Sequence, residues 1–234
     1  TNLKVPDPTA PGRMLDRKKA AELFKSKVGD DKIIEGWIEG PLAEAADLRG
    51  INTIMMDLFE DPFFVNDLLH FTLELGTKFA KHQIDAGADV IGIGDAAASL
   101  IGPKLYQQLV FPYEQKLINS IIEMGAAVRL HICGNITAIL EPISKLNCQL
   151  IDIDYPVNIH HARTSTRPEQ ILMGNLNPVA ILQDSTPEQI IAELEKCYHA
   201  VGENYIVAAG CEITRTTPDK NIQAMVDFAK SQKN

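Results

Sequence analysis

Two short motifs that stand far apart in the chain contain residue types that bind metals. His131 and Cys133 belong to the first motif, His-Ile-Cys-Gly, and Cys211 belongs to the second, Gly-Cys-Glu. Each motif directly follows an apolar run that predicts a buried strand, at 126–130 and at 205–209. In a parallel α/β barrel the carboxyl ends of the strands converge on one face. We therefore expect the three side chains to meet in space.

One imidazole and two thiolates form a ligand set that suits zinc. Three protein ligands leave one coordination position for a substrate, whereas a structural zinc site uses four. The alternative is that Cys133 and Cys211 are small buried hydrophobic residues. The other two cysteines, Cys148 and Cys197, are expected to pack in the core. No disulfide framework is indicated, and this use of cysteine predicts a reducing, cytoplasmic compartment.

The composition is that of a globular protein with a sizeable core. The chain has 234 residues, of which 45% are hydrophobic and 23% charged, enough for one large domain. Its net charge of -9 argues against a nucleic-acid partner, because neutralising phosphates requires a clustered basic face. No run approaches the roughly 18 apolar residues of a membrane span. The start of the chain carries no signal-peptide pattern.

Strand-like and helix-like segments alternate along the chain. The predicted strands cover 32–38, 87–95, 126–131, 149–154, 170–173 and 205–209. This alternation predicts an α/β fold with a parallel sheet and helices outside it, a (β/α)8 barrel apparently lacking its first two strands. Residues 1–30 are predicted to be an N-terminal linker and helix, and 31–234 the C-terminal part of a single barrel domain. The corresponding expectation is a gene that encodes roughly 100 further N-terminal residues. The alternative, a doubly wound open sheet, is weakened because no G-x-G-x-x-G follows a first strand.

Polar residues at the predicted strand ends are candidates for the site, because the active site of a parallel barrel lies at that face. For any one of them the alternative is a capped helix or a turn. The candidates are Glu39, Asp95, His131, Cys133, Asn135, Asp154, Tyr155, Asn175, Asn177, Cys211 and Glu212.

Several motifs together resemble the uroporphyrinogen decarboxylase superfamily. They are the segment 87–95, the block 99–113, the segments 131–134 and 174–178, and Gly210 to Ile213 followed by Thr217-Pro218. The resemblance covers nearly the whole chain after about residue 30. The paired His-x-Cys and Gly-Cys motifs make the chain most similar to the zinc-dependent, corrinoid-linked methyltransferases of that superfamily.

The resemblance implies a (β/α)8 barrel of the uroporphyrinogen decarboxylase type that moves a methyl group between a corrinoid cofactor and a zinc-activated thiol or methylated small molecule. Zinc is expected on His131, Cys133 and Cys211, and methylcobalamin on a separate carrier protein. Glu39 and Asp95 are the candidate catalytic carboxylates, each as a fourth zinc ligand or as a base for the thiol, with Glu39 preferred as the ligand. The candidates for cofactor binding are Asn135, Asn175 and Tyr155. A homo-oligomer is a further expectation.

Two other functions stay open at this point. The first is a uroporphyrinogen decarboxylase-like decarboxylase. Two features argue against it: decarboxylases of the superfamily carry Gly-His near the last strand, where this chain has Gly210-Cys211, and their porphyrinogen substrate needs several basic groups. The chain is also compatible with a catalytically inactive barrel relative. Substrate choice is expected to lie in the loops after the strands, among them 158–167.

Overall fold

The structure is a computed structural model and describes residues 3–232. It contains six strands that lie in one sheet in the order of the chain. The pairs β1–β2, β4–β5 and β5–β6 are parallel. The strands are β1 (Glu35–Glu39), β2 (Val90–Gly94), β3 (Ala127–His131), β4 (Leu150–Ile153), β5 (Ile171–Leu176) and β6 (Tyr205–Ala209). Each lies within or beside a strand predicted from the apolar runs.

In the described part of the chain one α-helix precedes these strands and nine connect or follow them. They are α1 (Arg13–Val28), α2 (Pro41–Arg49), α3 (Ile51–Glu60), α4 (Pro62–Asp85), α5 (Gly102–Leu105), α6 (Phe111–Glu123), α7 (Leu140–Ser144), α8 (Ile159–Ser165), α9 (Pro187–Val201) and α10 (Asp219–Ser231). Short 3₁₀ segments at Ala96–Leu100 and Thr137–Ile139 and π-helical turns at Tyr106–Val110 and Pro178–Gln183 supplement them. Between residues 3 and 232, no helix is both long and apolar enough to cross a membrane.

The chain divides into two compact units. The first contains the described residues up to Leu130 and the short segment Lys145–Cys148. On β1, Ile38 is buried, whereas Trp37 and Glu39 alternate with it and point to the opposite face. Gly92 and Gly94 of β2 make room for the indole of Trp37, because a Cβ on either would lie 2.4 or 2.6 Å from a ring atom.

The second unit contains His131–Ser144 and the chain from Gln149 onward. Its apolar core includes Leu182, Ile190, Leu194 and Phe228, which lie on α9, on α10 and in the π-helical turn before α9. The start of α9 is fixed by a capping box, in which Thr186 accepts a hydrogen bond from the Gln189 amide and the Gln189 side chain accepts one from the Thr186 amide. In this core α9 and α10 pack with residues of β5 and β6, among them Leu176 and Val207.

The segment 158–167, predicted to be a loop, is mostly helical. The side chain of Asn158 accepts a hydrogen bond of 2.9 Å from the backbone N–H of His161, which starts α8. The prediction was wrong because this helix is only seven residues long. So short a segment carries little hydrophobic periodicity, and its stability comes from the cap and from tertiary packing.

Candidate metal centre

The three predicted ligands lie together in the second unit. His131 is the last residue of β3, Cys133 follows it by two positions, and Cys211 follows the end of β6 by two positions. Nε2 of His131 lies 3.0 Å from Sγ of Cys133 and 3.9 Å from Sγ of Cys211. The two sulfur atoms are 3.7 Å apart. In the described residues this is the one group of three or more such side chains whose ligand atoms all lie within 4.8 Å of one another.

These separations are close to those that a tetrahedral zinc ion requires. At a tetrahedral angle, zinc bonds of about 2.3 Å to sulfur and about 2.0 Å to nitrogen hold two sulfurs about 3.8 Å apart, and a sulfur and a nitrogen about 3.5 Å apart. The observed sulfur–sulfur distance of 3.7 Å agrees closely, and the two nitrogen–sulfur distances of 3.0 and 3.9 Å lie on either side of the expected value. The residues present therefore fit zinc.

Asp152 on β4 orients the imidazole of His131. Nδ1 of His131 lies 3.2 Å from Oδ2 of Asp152 and 3.3 Å from the backbone oxygen of the same residue. Because both are acceptors, Nδ1 carries a proton and Nε2 points toward the sulfurs. A carboxylate behind a metal-binding histidine is the usual means of fixing its tautomer and ring orientation.

The protonation of the cluster follows from these contacts. Burial lowers the pKa of His131, but hydrogen bonds and charge interactions with Asp152 and Cys133 outweigh it and raise the pKa to about 11. The hydrogen bond with His131 lowers the pKa of the Cys133 thiol, whereas burial raises the pKa of Cys211. Both shifts favour a proton on the imidazole and negative charge on Cys133. A divalent cation replaces such a proton when it binds nitrogen and thiolate ligands.

Asp154 fixes the backbone that carries Cys133. Its Oδ2 accepts a hydrogen bond of 2.6 Å from the backbone N–H of Gly134, and its Oδ1 accepts one of 2.7 Å from the N–H of Tyr155. Gly134 has a φ of 88°, a conformation that L side chains rarely adopt. The turn after Cys133 therefore depends both on this glycine and on the end of β4.

Gly210 brings Cys211 close to the same end of β4. Its backbone N–H donates a hydrogen bond of 2.8 Å to the carbonyl of Leu176. A Cβ at position 210 would lie 2.4 Å from the backbone nitrogen of Tyr155, so no larger residue fits without a shift of the backbone. The glycine that precedes the second cysteine thus permits the approach of the two strand ends.

The three residues predicted to bind the cofactor also lie at strand ends in this unit. Asn135 is exposed and its Oδ1 accepts hydrogen bonds from Thr137. Tyr155 is 48% exposed. The side-chain amide of Asn175 donates to the carbonyls of Asp154 and Val157, at 2.9 and 2.8 Å. Asn175 therefore holds the end of β4, while Asn135 and Tyr155 remain accessible.

The two predicted catalytic carboxylates lie in the first unit. Glu39 ends β1 and is half-buried, and its Oε1 accepts a hydrogen bond of 3.1 Å from the indole N–H of Trp37. Asp95 follows β2 and is fully buried. Both of its oxygens accept backbone N–H groups, from Leu42 and Ala43, at 3.3 and 2.7 Å. Of the two carboxylates, Glu39 is the more accessible.

Sequence reasoning missed the role of Asp152 and left Asp154 as one strand-end candidate among many. The signal was present in the run Ile-Asp-Ile-Asp at 151–154, where two carboxylates alternate with isoleucines. Alternation with period two places both aspartates on one face of β4. Buried carboxylates are rare without a partner, so such a pair in an apolar strand indicates a polar site.

The fold and the site together define the class of this protein. It is a parallel α/β protein with a candidate metal cluster at the ends of its strands. The chain belongs to the uroporphyrinogen decarboxylase family, whose family model matches residues 1–232. A solved structure described as a methyltransferase from Methanosarcina mazei superimposes with a TM-score of 0.91 at 26% identity, over 98% of this chain and 68% of that chain. This match confirms the predicted α/β fold of the uroporphyrinogen decarboxylase type.

Curated relatives fall into two groups. A methylcobamide:CoM methyltransferase MtbA from Methanosarcina mazei is 35% identical over 223 residues, which are 94% of this chain and 64% of that protein. The corresponding MtbA from Methanosarcina acetivorans is 36% identical, over 92% of this chain and 63% of that protein. A uroporphyrinogen decarboxylase from Synechocystis is 24% identical, over 88% of this chain and 61% of that protein. The chain thus spans less than two thirds of the length of these relatives.

Proposed function

We propose that this protein is a zinc-dependent methyltransferase that moves a methyl group between a corrinoid and a thiol or methylated small molecule. The convergence of His131, Cys133 and Cys211 carries the proposal, because their separations fit zinc and three ligands leave a position for a substrate. The higher identity to methylcobamide:CoM methyltransferases than to uroporphyrinogen decarboxylases supports it.

In this proposal some residues of the chain bind the metal ion and others orient the residues that bind it. Nε2 of His131 and the two sulfurs would hold the ion, and Asp152 keeps the imidazole in the orientation that this requires. A bound zinc ion would lower the pKa of a coordinated thiol, so that its sulfur is a competent methyl acceptor at neutral pH. The thiol proton must then leave, and Glu39 and Asp95 are the candidate acceptors for it.

The proposal includes a partner. The corrinoid is expected on a separate carrier protein, with the exposed Asn135 and Tyr155 and the half-buried Asn175 as candidate contacts. The second substrate is a small thiol, or a methylated small molecule if transfer runs in the opposite direction. Cytoplasmic location and homo-oligomer formation belong to the same proposal, and cell fractionation and light scattering of the purified protein test them.

Zinc content and methyl transfer test the proposal directly. Purified protein should contain about one zinc per chain and should convert methylcobalamin in the presence of a thiol from a panel that includes coenzyme M. Cys133→Ser and Cys211→Ser should lose both the metal and the reaction. Cys197→Ala is the matched control, because Cys197 is a buried cysteine of the α9 core outside the cluster.

Two results would contradict the proposal. A metal-free preparation with full methyl-transfer activity would rule out the zinc mechanism. Release of CO₂ from a porphyrinogen by protein without zinc would favour the rival decarboxylase function, for which the family relatives at 24% identity are the supporting observation.

A further inference from the structure

The loop between β6 and α10 carries Cys211 and is held at two points. At its start, the backbone N–H of Gly210 donates a hydrogen bond of 2.8 Å to the carbonyl of Leu176, the last residue of β5. The two residues that follow the cysteine, 212 and 213, are exposed, so burial in the core does not fix them. The position of Cys211 therefore depends on the second anchor as well as on the first.

Gln183 provides this second anchor. It is the last residue of the π-helical turn before α9, and its Oε1 accepts hydrogen bonds from the hydroxyls of Thr214 and Thr216, at 2.6 and 2.8 Å. Its Nε2 donates a hydrogen bond of 3.0 Å to Oδ1 of Asp184. Because a carboxylate oxygen accepts, this contact fixes the orientation of the amide and directs Oε1 toward the threonines. One oxygen atom thus holds two hydroxyl groups of the loop.

The threonines that Gln183 holds belong to a tight turn close to the cysteine. The backbone N–H of Thr217 donates a hydrogen bond of 3.1 Å to the carbonyl of Thr214, and the hydroxyl oxygens of the same two residues lie 2.9 Å apart. Thr214 follows Cys211 by three positions, a stretch that spans at most about 10 Å of extended chain. A displacement of the turn is therefore passed on to Cys211.

The π-helical turn that carries Gln183 is fixed from α10. The buried side-chain amide of Asn221 donates hydrogen bonds to the carbonyls of Leu182 and Ser185, at 2.7 and 3.0 Å. These carbonyls lie on either side of Gln183 in the chain, and the side chain of Leu182 is itself part of the apolar core. The anchor thus connects the loop to a rigid part of the second unit.

We propose that Gln183 is a positioning residue of the candidate metal centre, which through Thr214 and Thr216 holds the loop so that Sγ of Cys211 stays beside Sγ of Cys133. The two sulfurs lie 3.7 Å apart, and loss of the anchor widens this separation. The inference rests on the proposed function for the identity of the metal, whereas the placement of the two sulfurs is a property of the chain alone.

Zinc affinity, measured by competition with a chromophoric chelator, tests the positioning role. Gln183→Ala removes the acceptor oxygen and should weaken zinc binding about 10-fold, as loss of a supporting contact commonly does. Gln223→Ala, the same change at an exposed position of α10, is the control and should bind zinc as wild type does. Equal affinities of Gln183→Ala and wild type overturn the proposal.

A double-mutant cycle tests whether the effect passes through the threonine hydroxyls. Thr216→Val removes one hydroxyl and should weaken zinc binding less than Gln183→Ala does, because the bond from Thr214 remains. Thr216→Ser keeps the hydroxyl and should retain the wild-type affinity. The double variant Gln183→Ala/Thr216→Val should bind zinc as Gln183→Ala does. Additive losses overturn the proposal.

A core substitution in the same unit separates positioning from general destabilisation. Leu194→Ala leaves a cavity in the core beside α9 and should lower the free energy of unfolding, measured by urea denaturation, without touching the loop. Its zinc affinity should equal that of wild type. A loss of affinity as large as that of Gln183→Ala overturns the proposal, because destabilisation alone would then account for both variants.

A trivalent arsenical tests the placement of the sulfurs without zinc and without methyl transfer. Phenylarsine oxide bridges two neighbouring thiols, because two arsenic–sulfur bonds form and the oxide oxygen leaves as water with both thiol protons. The metal-free wild type should be bridged between Cys133 and Cys211, and Cys133→Ser should not be bridged. Gln183→Ala should be bridged to a smaller fraction at the same arsenical concentration, as measured by free-thiol titration.

The arsenical result decides the inference even for a chain that binds no zinc. Equal bridging of Gln183→Ala and wild type overturns the proposal. Reduced bridging in Gln183→Ala, in a protein that neither retains zinc nor transfers methyl groups, supports the positioning role and contradicts only the proposed function.

Discussion

At the scale of single residues, the candidate metal centre depends on groups that would not themselves touch a metal. Asp152 holds Nδ1 of His131, and Asp154 holds the turn that follows Cys133. Such supporting contacts commonly change metal affinity by about 10- to 100-fold when they are removed. They therefore offer tests that leave the three proposed ligands intact.

Asp152→Asn should weaken zinc binding by about 10- to 100-fold. An amide still fills the space beside His131, but it lacks the negative charge that keeps the imidazole oriented and electron-rich. Zinc affinity is measured by competition with a chromophoric chelator. Asp227→Asn, an exposed site on α10 with the same change in charge, should bind zinc as wild type does. Equal affinities of the two variants would remove Asp152 from the centre.

Glu39→Gln should reduce zinc retention and the rate of methyl transfer while the fold stays intact. The glutamine oxygen still accepts the Trp37 N–H, so the side chain keeps its place and loses only its charge and basicity. Glu44→Gln, in the helix that follows β1, is the control for loss of a carboxylate in the same region. If zinc affinity and rate are unchanged in Glu39→Gln, Asp95 becomes the carboxylate to test.

At the scale of secondary-structure elements, the six strands and the three clustered ligands were predictable because each signal is local. An apolar run ends, and a histidine or cysteine follows within two residues. The partners of these residues were not predictable from such a signal. Asp152 meets His131 across 21 positions through the pairing of neighbouring strands. Contacts of this kind depend on register and helix placement, which no single segment encodes.

Gly210→Ala tests the placement of the β6 end. The added Cβ meets the backbone nitrogen of Tyr155 at 2.4 Å, so the strand end must move and Cys211 with it. We expect weaker zinc retention together with a lower free energy of unfolding, measured by metal analysis and urea denaturation. Gly76→Ala on α4 is the control, because a Cβ there makes only ordinary contacts of 3.6 Å or more. A Gly210→Ala variant with normal zinc content would show that the strand end tolerates the shift.

At the scale of the whole molecule, the two compact units contain different parts of the chemistry. The His–Cys–Cys cluster and both supporting aspartates belong to the second unit, whereas the candidate carboxylates Glu39 and Asp95 belong to the first. A ligand that binds only the folded state stabilises it by about 4 kcal/mol at 1,000 times its dissociation constant. Zinc should therefore stabilise the second unit most directly.

Removing the metal should reveal this difference. Treatment with a chelator should lower the melting temperature and accelerate hydrogen exchange in β4, β5 and β6 more than in α4 and α6. Mass spectrometry of peptic fragments measures the exchange, and Cys211→Ser, which should already lack the metal, should show no response to the chelator. Equal acceleration in both units would mean that the metal stabilises the chain as one cooperative body.

Strand β4 contributes no proposed ligand, yet Asp152 within it and Asp154 directly after it align the imidazole and the turn after Cys133. Grafting His-x-Cys and Gly-Cys onto another parallel-sheet scaffold would therefore transfer the donor atoms without their alignment. Protein engineers would need to transplant the Ile-Asp-Ile-Asp strand as well, in its original register, before the graft acquired high affinity. The smallest unit that could be transferred to another protein is therefore the ends of β3, β4 and β6 together. A search for similar centres in unrelated folds should require all three strand ends.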